Sequence, residues 1–225
     1  MNVQENIKQY LESKDPSARD PLARCTSFDY CYNYFQSFRE NNDLDKLSEP
    51  NQIQVSCLQL AFYLASWGML RGRSFLLEKS VKFYAPMINK IVDFNKTIWE
   101  IDADCYTDTN IEIILDCRNM IRETIRKGDR GPTDTLVTKI MLGVFGNVPA
   151  FDTFFIRGFK KCGFGAGSLN KKSLKWIRDF YQSNKDAIDE FDIATLDFAS
   201  GKGTSRKYTK AKLIDMIGHI EGGGS

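Results

Sequence analysis

The chain has 225 residues, of which 42% are hydrophobic and 27% charged, and its net charge at pH 7 is +2. Such a length can bury a sizeable core, and such a composition excludes both a disordered chain and a uniformly polycationic one. Six scattered cysteines with no CxxC pair, one histidine and no apolar run of membrane-spanning length leave no set for a metal site, a Ser-His-Asp triad or a Cys-His nucleophile, and point to a reduced, cytoplasmic protein off the membrane.

In chain order, Met1–Ser13 reads as a short amphipathic helix on Val3, Ile7, Tyr10 and Leu11, and Pro16 and Pro21 break the chain beyond it. Phe28–Arg39 is a strongly aromatic helix whose Phe28, Cys31, Tyr32, Phe35 and Phe38 share a core face; Tyr30 and Tyr34 receive no functional role. Asn51–Leu70 is the most apolar segment and is expected to run through the centre of the fold. It ends in Trp67-Gly68-Met69-Leu70-Arg71-Gly72-Arg73, a junction rich in glycine, arginine and aromatic surface. A helix from Ser74 to about Asn95 comes next, with a Ser74/Glu78 capping box and a kink at Pro86. The polar connection holding Asp102, Asp104 and Asp108 lacks the glycine and terminal Glu of a calcium loop, and it reads as a capped lead into the helix Asn110–Lys127. A tight loop, Gly128–Pro132, then leads into the stretch around which the chain is organised.

That stretch is Thr133–Lys161. Leu136, Val137, Ile140, Met141 and Val144 recur at helical spacing, Gly146-Asn147 stops the helix, and Pro149 permits a second one to begin. Asp152 then falls at the second helix's N-terminus, where free N–H groups and the helix dipole keep a carboxylate ionised. Phe154, Phe155 and Phe159 fold the second helix back on the first. Beyond it come a glycine-rich turn (Cys162–Ser168), helices over Ser173–Asn184, Asp186–Asp197 and Tyr208–Ile220, and a linker-like tail, Gly222–Ser225. The turn is not preceded by a strand, and Leu196 stands where a P-loop before Gly201–Ser205 needs glycine, so neither segment reads as a phosphate cradle. From Pro132 onward there are 14 Lys/Arg against 10 Asp/Glu, and before it 17 against 19. The cations cluster at Lys160-Lys161, at Lys171, Lys172, Lys175 and Arg178, and between Lys202 and Lys212, a placement that suits a polyanion or simply solvated helix faces.

No segment alternates as a long strand does, so the fold class is all-α: a compact multi-helix domain over residues 1–221 with about nine to eleven helices, residues 1–131 and 132–221 being candidate interleaved lobes.

The corner Val137–Arg157, with its apolar helix, glycine stop and Pro-x-x-Asp-Thr turn, resembles the helix-hairpin-helix DNA glycosylase superfamily. The likeness covers about thirty residues; the family's glycine-rich hairpin and iron–sulphur cysteines are absent. The resemblance implies a DNA N-glycosidase without a cofactor, in which Asp152 is the catalytic carboxylate. It implies further that Trp67, Met69 and Arg71 fill the gap left by a flipped base, and that Lys139, Arg157, Lys160, Lys161, Lys171 and Lys172 contact DNA, with Gly143 and Gly146 allowing close approach to phosphate. No lysine stands where strand-cutting members keep theirs, so the implied enzyme is monofunctional, and its divergence points to modified bases of invading phage DNA. The residues also permit plainer roles: Asp152 as a helix cap, Trp67 in the core, Lys139 paired with Asp134 or Asp152. The alternative function is a non-catalytic helical protein that binds nucleic acid or acts in defence through interaction.

Overall fold

The buried faces are set by helices whose apolar residues recur every three or four positions. The computed structural model describes residues 1–11, 19–126, 131–165 and 167–224. Among these lie ten α-helices: α1 (Val3–Tyr10), α2 (Ser27–Glu40), α3 (Ile53–Ser66), α4 (Ala85–Asp93), α5 (Asp108–Thr124), α6 (Asp134–Phe145), α7 (Thr153–Lys160), α8 (Lys171–Ser183), α9 (Lys185–Asp189) and α10 (Lys210–Glu221). Short 3-10 turns join several of them, and one antiparallel hairpin, β1 (Ala194–Leu196) with β2 (Gly203–Lys207), completes the fold. The protein is an all-α, multi-helix fold, as its sequence pattern predicts. Glu12, Ser13, Pro16, Lys127 at the expected end of the Asn110–Lys127 helix, residues 128–130 of the Gly128–Pro132 loop, Ala166 and Ser225 lie outside the described residues.

The centre belongs to α6 and α10 rather than to α3. Every residue from Leu136 to Phe145 and from Ala211 to His219 is buried. By contrast α3 buries Cys57, Leu60, Tyr63 and Leu64 while Val55, Leu58 and Phe62 stay exposed. Its overall hydrophobicity misleads because apolar residues occupy both faces, and only one face meets the core.

α10 lies against α7 and α1, and α2 packs on α3 and α6. The α7–α10 crossing is close because glycines meet there. A Cβ on Gly158 would lie far inside contact distance of the Gly218 carbonyl oxygen, and one on Gly218 would strike the Phe155 and Phe159 rings. Similarly, Gly143 seats the Tyr63 ring against α6.

Two expected helices differ, and so does the tail. Ser74 caps only the 3-10 turn Phe75–Glu78, and a second such turn, Val81–Tyr84, precedes α4. Pro86 sits in the first turn of α4, where its missing N–H costs nothing, so it begins a helix instead of kinking one. The expected helix Asp186–Asp197 stops at Asp189 because Leu196 is drawn into the hairpin, where Asp29 accepts its N–H at 2.7 Å and Asn33 donates to its carbonyl at 2.9 Å. The tail is packed rather than free: Gly222 and Gly224 are buried, and Arg157 donates to the Gly222 carbonyl at 3.2 Å.

Candidate active site

The corner between α6 and α7 is fixed atom by atom. Gly146 ends α6 in the left-handed conformation, φ 68°, which a residue with a Cβ adopts only at a cost. Side chains then hold the turn's backbone. Thr209 donates to the Gly146 carbonyl at 2.6 Å, Tyr106 to that of Asn147 at 2.5 Å, and Thr135 to that of Phe151 at 2.8 Å. Asp215 on α10 accepts the Ala150 N–H at 2.9 Å, and Thr138 accepts that of Phe151 at 2.8 Å. These five hydrogen bonds fix the backbone of the turn, while the buried side-chain oxygen of Asn147 has no partner.

Asp152 ends this turn and caps α7, its Oδ1 accepting the Phe155 N–H at 3.0 Å. Its Oδ2 meets the Lys139 ammonium at 3.0 Å, and the two side chains are only 16% and 5% exposed. Burial pushes the Asp152 carboxyl up, but the Lys139 charge and the Phe155 N–H outweigh it and hold the group below the ordinary carboxylate value. Asp152 is therefore ionised at neutral pH. Of the two partners open to Lys139 from sequence, it takes Asp152; Asp134 is held by Arg122 at 2.5 Å and accepts the Leu169 N–H at 2.9 Å.

This pair lies in an open cleft of about 580 Å³. Trp67, Met69 and Arg71, from the junction after α3, line the same cleft as Lys139 and Asp152, some eighty residues further along the chain. Gly68, φ 72°, turns the chain so that the Arg71 side chain folds back beside it. Five of the twelve residues to which the resemblance gives a role thus converge. The cleft also holds Arg24, Thr135, Thr153 and His219, to which the sequence pattern gives no role, and Phe154, which is expected to pack α7 back on α6 and instead lines the cleft half-buried while Phe155 and Phe159 are buried.

Trp67 is partly buried and forms a wall. Tyr10 stacks on it at 6.2 Å and 11°, His219 meets it edge-on at 6.0 Å, and its indole N–H is buried without an acceptor. Three cations surround its ring: Arg24 and Lys139 at 5.1 Å and Lys212 at 5.5 Å. Lys212 belongs to a second buried ion pair, 3.0 Å from Asp215, and also donates to the Tyr10 hydroxyl at 2.8 Å. Burial lowers the His219 pKa despite the nearby Asp215 and Asp152, so the imidazole is neutral at pH 7. A smaller hollow of about 200 Å³ adjoins the cleft and shares Arg24, Trp67 and His219 with it.

The remaining sequence-selected residues lie elsewhere. Arg157 is exposed, braces the tail and does not pair with Asp152. Lys160 and Lys161 are exposed at the end of α7. Lys171 and Lys172 are exposed at the start of α8, where Lys171 lies 3.5 Å from Asp108 and Lys175 2.9 Å from the same carboxylate. Gly143 and Gly146 are buried against Tyr63 and Tyr32, so neither can approach a phosphate. The Asp102 carboxylate is turned onto backbone: it accepts N–H groups from Ala103, Lys210 and Ala211 at 2.6–2.8 Å, capping α10 from outside. Among the described residues no cluster of His, Cys, Asp or Glu could hold a metal, and no helix is long and apolar enough to cross a membrane. No family model, no curated protein and no solved structure matches this chain.

Proposed function

We propose that the cleft is the active site of a monofunctional DNA N-glycosidase, with Asp152 as its catalytic carboxylate. One observation carries the reading: an ionised, rigidly held aspartate shares a nucleoside-sized cleft with an aromatic wall and flanking cations.

Hydrolysis of an N-glycosidic bond breaks C1′–N, the electron pair leaving with the base while positive charge builds on the sugar. Asp152 can stabilise that charge and orient a water toward C1′; the water's oxygen bonds to C1′, Asp152 accepts one of its protons, and that proton passes on to the departing base, which leaves neutral. The Trp67 wall, backed by Tyr10 and overlain by Arg24, Lys139 and Lys212, bounds the space for an extruded base, and Met69 and Arg71 stand beside it at the cleft. Lys139, as an ion-paired ammonium, has no lone pair with which to attack the sugar, which favours release of the base without a strand cut. The exposed Lys160, Lys161 and Lys172, with Arg157, supply positive charge for a DNA backbone; Lys171 is partly compensated by Asp108. A cleft of about 580 Å³ has room for a base bearing a substituent, and the modified bases of invading phage DNA are the proposed substrates.

The test is base release from a panel of duplexes that includes heavily modified phage DNA, with Asp152→Asn beside the parent. Alkali-labile abasic sites made by the parent and lost in a folded Asp152→Asn support the reading. Release no greater from modified than from plain DNA removes the phage substrate. Salt-dependent binding with no abasic sites on any DNA would leave a non-catalytic binder in which Asp152 is a helix cap.

A further inference from the structure

We propose that Leu22 is the wedge that enters the base stack of duplex DNA beside the cleft, an assignment that rests on the DNA reading above. Trp67, the aromatic residue first suited to that role, is partly buried, stacked on Tyr10 and built into the cleft wall, so it cannot project. Leu22 can. It is 91% exposed, the most exposed of the large apolar side chains among the described residues.

The turn that carries it is stiff. Asp20, Pro21, Leu22 and Ala23 form a β-turn closed by the Ala23 N–H on the Asp20 carbonyl at 3.2 Å, with proline at the position whose φ it pre-sets. The Asp20 carboxylate accepts the Leu22 N–H at 2.8 Å, Thr26 donates to the Asp20 carbonyl at 2.9 Å, and Tyr30 donates to the Pro21 carbonyl at 2.7 Å. Just before the turn, Arg19 is buried in an ion pair with Asp29 at 2.9 Å. A turn pinned on both sides holds its apex side chain in water at little further entropic cost on binding.

Two further features favour a nucleic-acid partner over an apolar protein groove. Two residues after Leu22, Arg24 lines the cleft over the Trp67 ring, so the apex and the cleft are joined by one short rigid segment. Phe198, 78% exposed, rests edge-on against Tyr30 at 5.0 Å, and the exposed Lys202 comes after it in the hairpin turn. The hairpin turn lies against the Pro21 ring, a Cβ on Gly201 falling 3.3 Å from Pro21 Cγ, and an apolar point on such a surface, with a lysine and an aromatic ring on the adjoining turn, matches the chemistry of side chains that part stacked bases, whose unstacking costs a few kcal/mol per step.

The experiment uses a synthetic duplex carrying 2-aminopurine, whose fluorescence rises on unstacking, with the parent, Leu22→Ala and Leu22→Phe, and scores abasic sites in parallel on the base-release panel. The parent and Leu22→Phe should raise the fluorescence. Leu22→Ala should lose roughly fivefold or more of that rise, and of any base release from duplex, in keeping with the cost of parting one step. Its melting temperature and its binding to single-stranded oligonucleotide should match the parent's. An undiminished rise with Leu22→Ala overturns the wedge while leaving the glycosidase reading in place. A Leu22-dependent rise without abasic sites on any DNA sustains the wedge and removes the glycosidase. Failure of the parent to bind or unstack the duplex overturns the wedge.

Discussion

Lys139 on α6 and Asp152 at the head of α7 form a 3.0 Å ion pair in which the lysine is almost wholly buried and the aspartate looks into the cleft. The pair joins two roles usually separated. It locks the helix corner, and it keeps a mostly buried carboxylate charged at the edge of the cleft. Replacing Lys139 with Met should therefore destabilise the fold by about 2–4 kcal/mol, because a partly buried carboxylate is left without its counter-charge. Urea unfolding at pH 7 measures this. Lys139→Met should recover much of the loss below pH 4, where Asp152 can be neutral, and no recovery there would show that the lysine's packing, not its charge, is what matters.

The pH dependence of Asp152 itself has a definite sign. Its folded pKa lies below the ordinary value, so its contribution to stability is present above about pH 4 and is lost as pH falls through that lowered value. Under the glycosidase reading, base release should hold its level down to about pH 4 unless another group titrates. NMR titration of a side-chain-labelled protein should place the Asp152 midpoint below that of a model aspartate; a midpoint above it would contradict the compensation by Lys139 and the Phe155 N–H.

Asp102 behaves in the opposite way. Burial beneath the start of α10 raises its pKa from 3.8 to about 6, the three backbone N–H groups it accepts offsetting only part of the cost. A raised carboxyl pKa means the folded state binds the proton more tightly than the unfolded chain. This group's contribution consequently declines as pH rises from about 4 to about 6, by at most about 3 kcal/mol. Asp102→Asn, which keeps an acceptor oxygen, should flatten that part of the stability profile. Denaturant midpoints from pH 4 to 7 for both proteins provide the check, and parallel profiles would contradict it.

The α7–α10 crossing makes a steric prediction. Gly158→Ala drives a Cβ into the Gly218 backbone, where no rotamer change relieves it, and should cost about 3 kcal/mol or abolish folding. Gly165→Ala meets nothing within 4 Å and should change the melting temperature little. Equal melting temperatures for the two variants would refute the close crossing.

The sequence announced the α6–α7 corner because its signals are local: Gly146-Asn147 to stop, Pro149 to restart, Asp152 to cap, and phenylalanines at helical spacing. Trp67, Met69 and Arg71 stood out through the odd composition of their junction. His219 and Arg24 did not, since they reach the cleft from opposite ends of the chain and only tertiary packing unites them. A usable signal did exist on α10. Lys212, Asp215 and His219 recur at intervals of three and four within an otherwise apolar helix, and polar residues on a buried face must find partners. The hairpin left no such trace: three residues of β1 are too few to show alternation, and its backbone is satisfied partly by Asp29 and Asn33 on α2.

That face of α10 supports the most discriminating structural test of the site. Asp215 grips the Ala150 N–H, two residues before Asp152, while its other oxygen binds the buried Lys212. Asp215→Ala leaves both groups unsatisfied and should cost about 3–5 kcal/mol. Asp215→Asn keeps an acceptor for Ala150 but strands the Lys212 charge, and Lys212→Met with Asp215→Asn removes that charge as well. If Asp215 holds the corner through its hydrogen bond, the double variant should regain stability over Asp215→Asn and keep slow amide exchange at Ala150, Phe151 and Phe155. If the ion pair alone matters, exchange at those three amides should quicken in the double variant as much as in Asp215→Asn. Amide exchange read residue by residue separates the two outcomes, because it reports the order of the turn that presents Asp152 and not merely the stability of the whole fold.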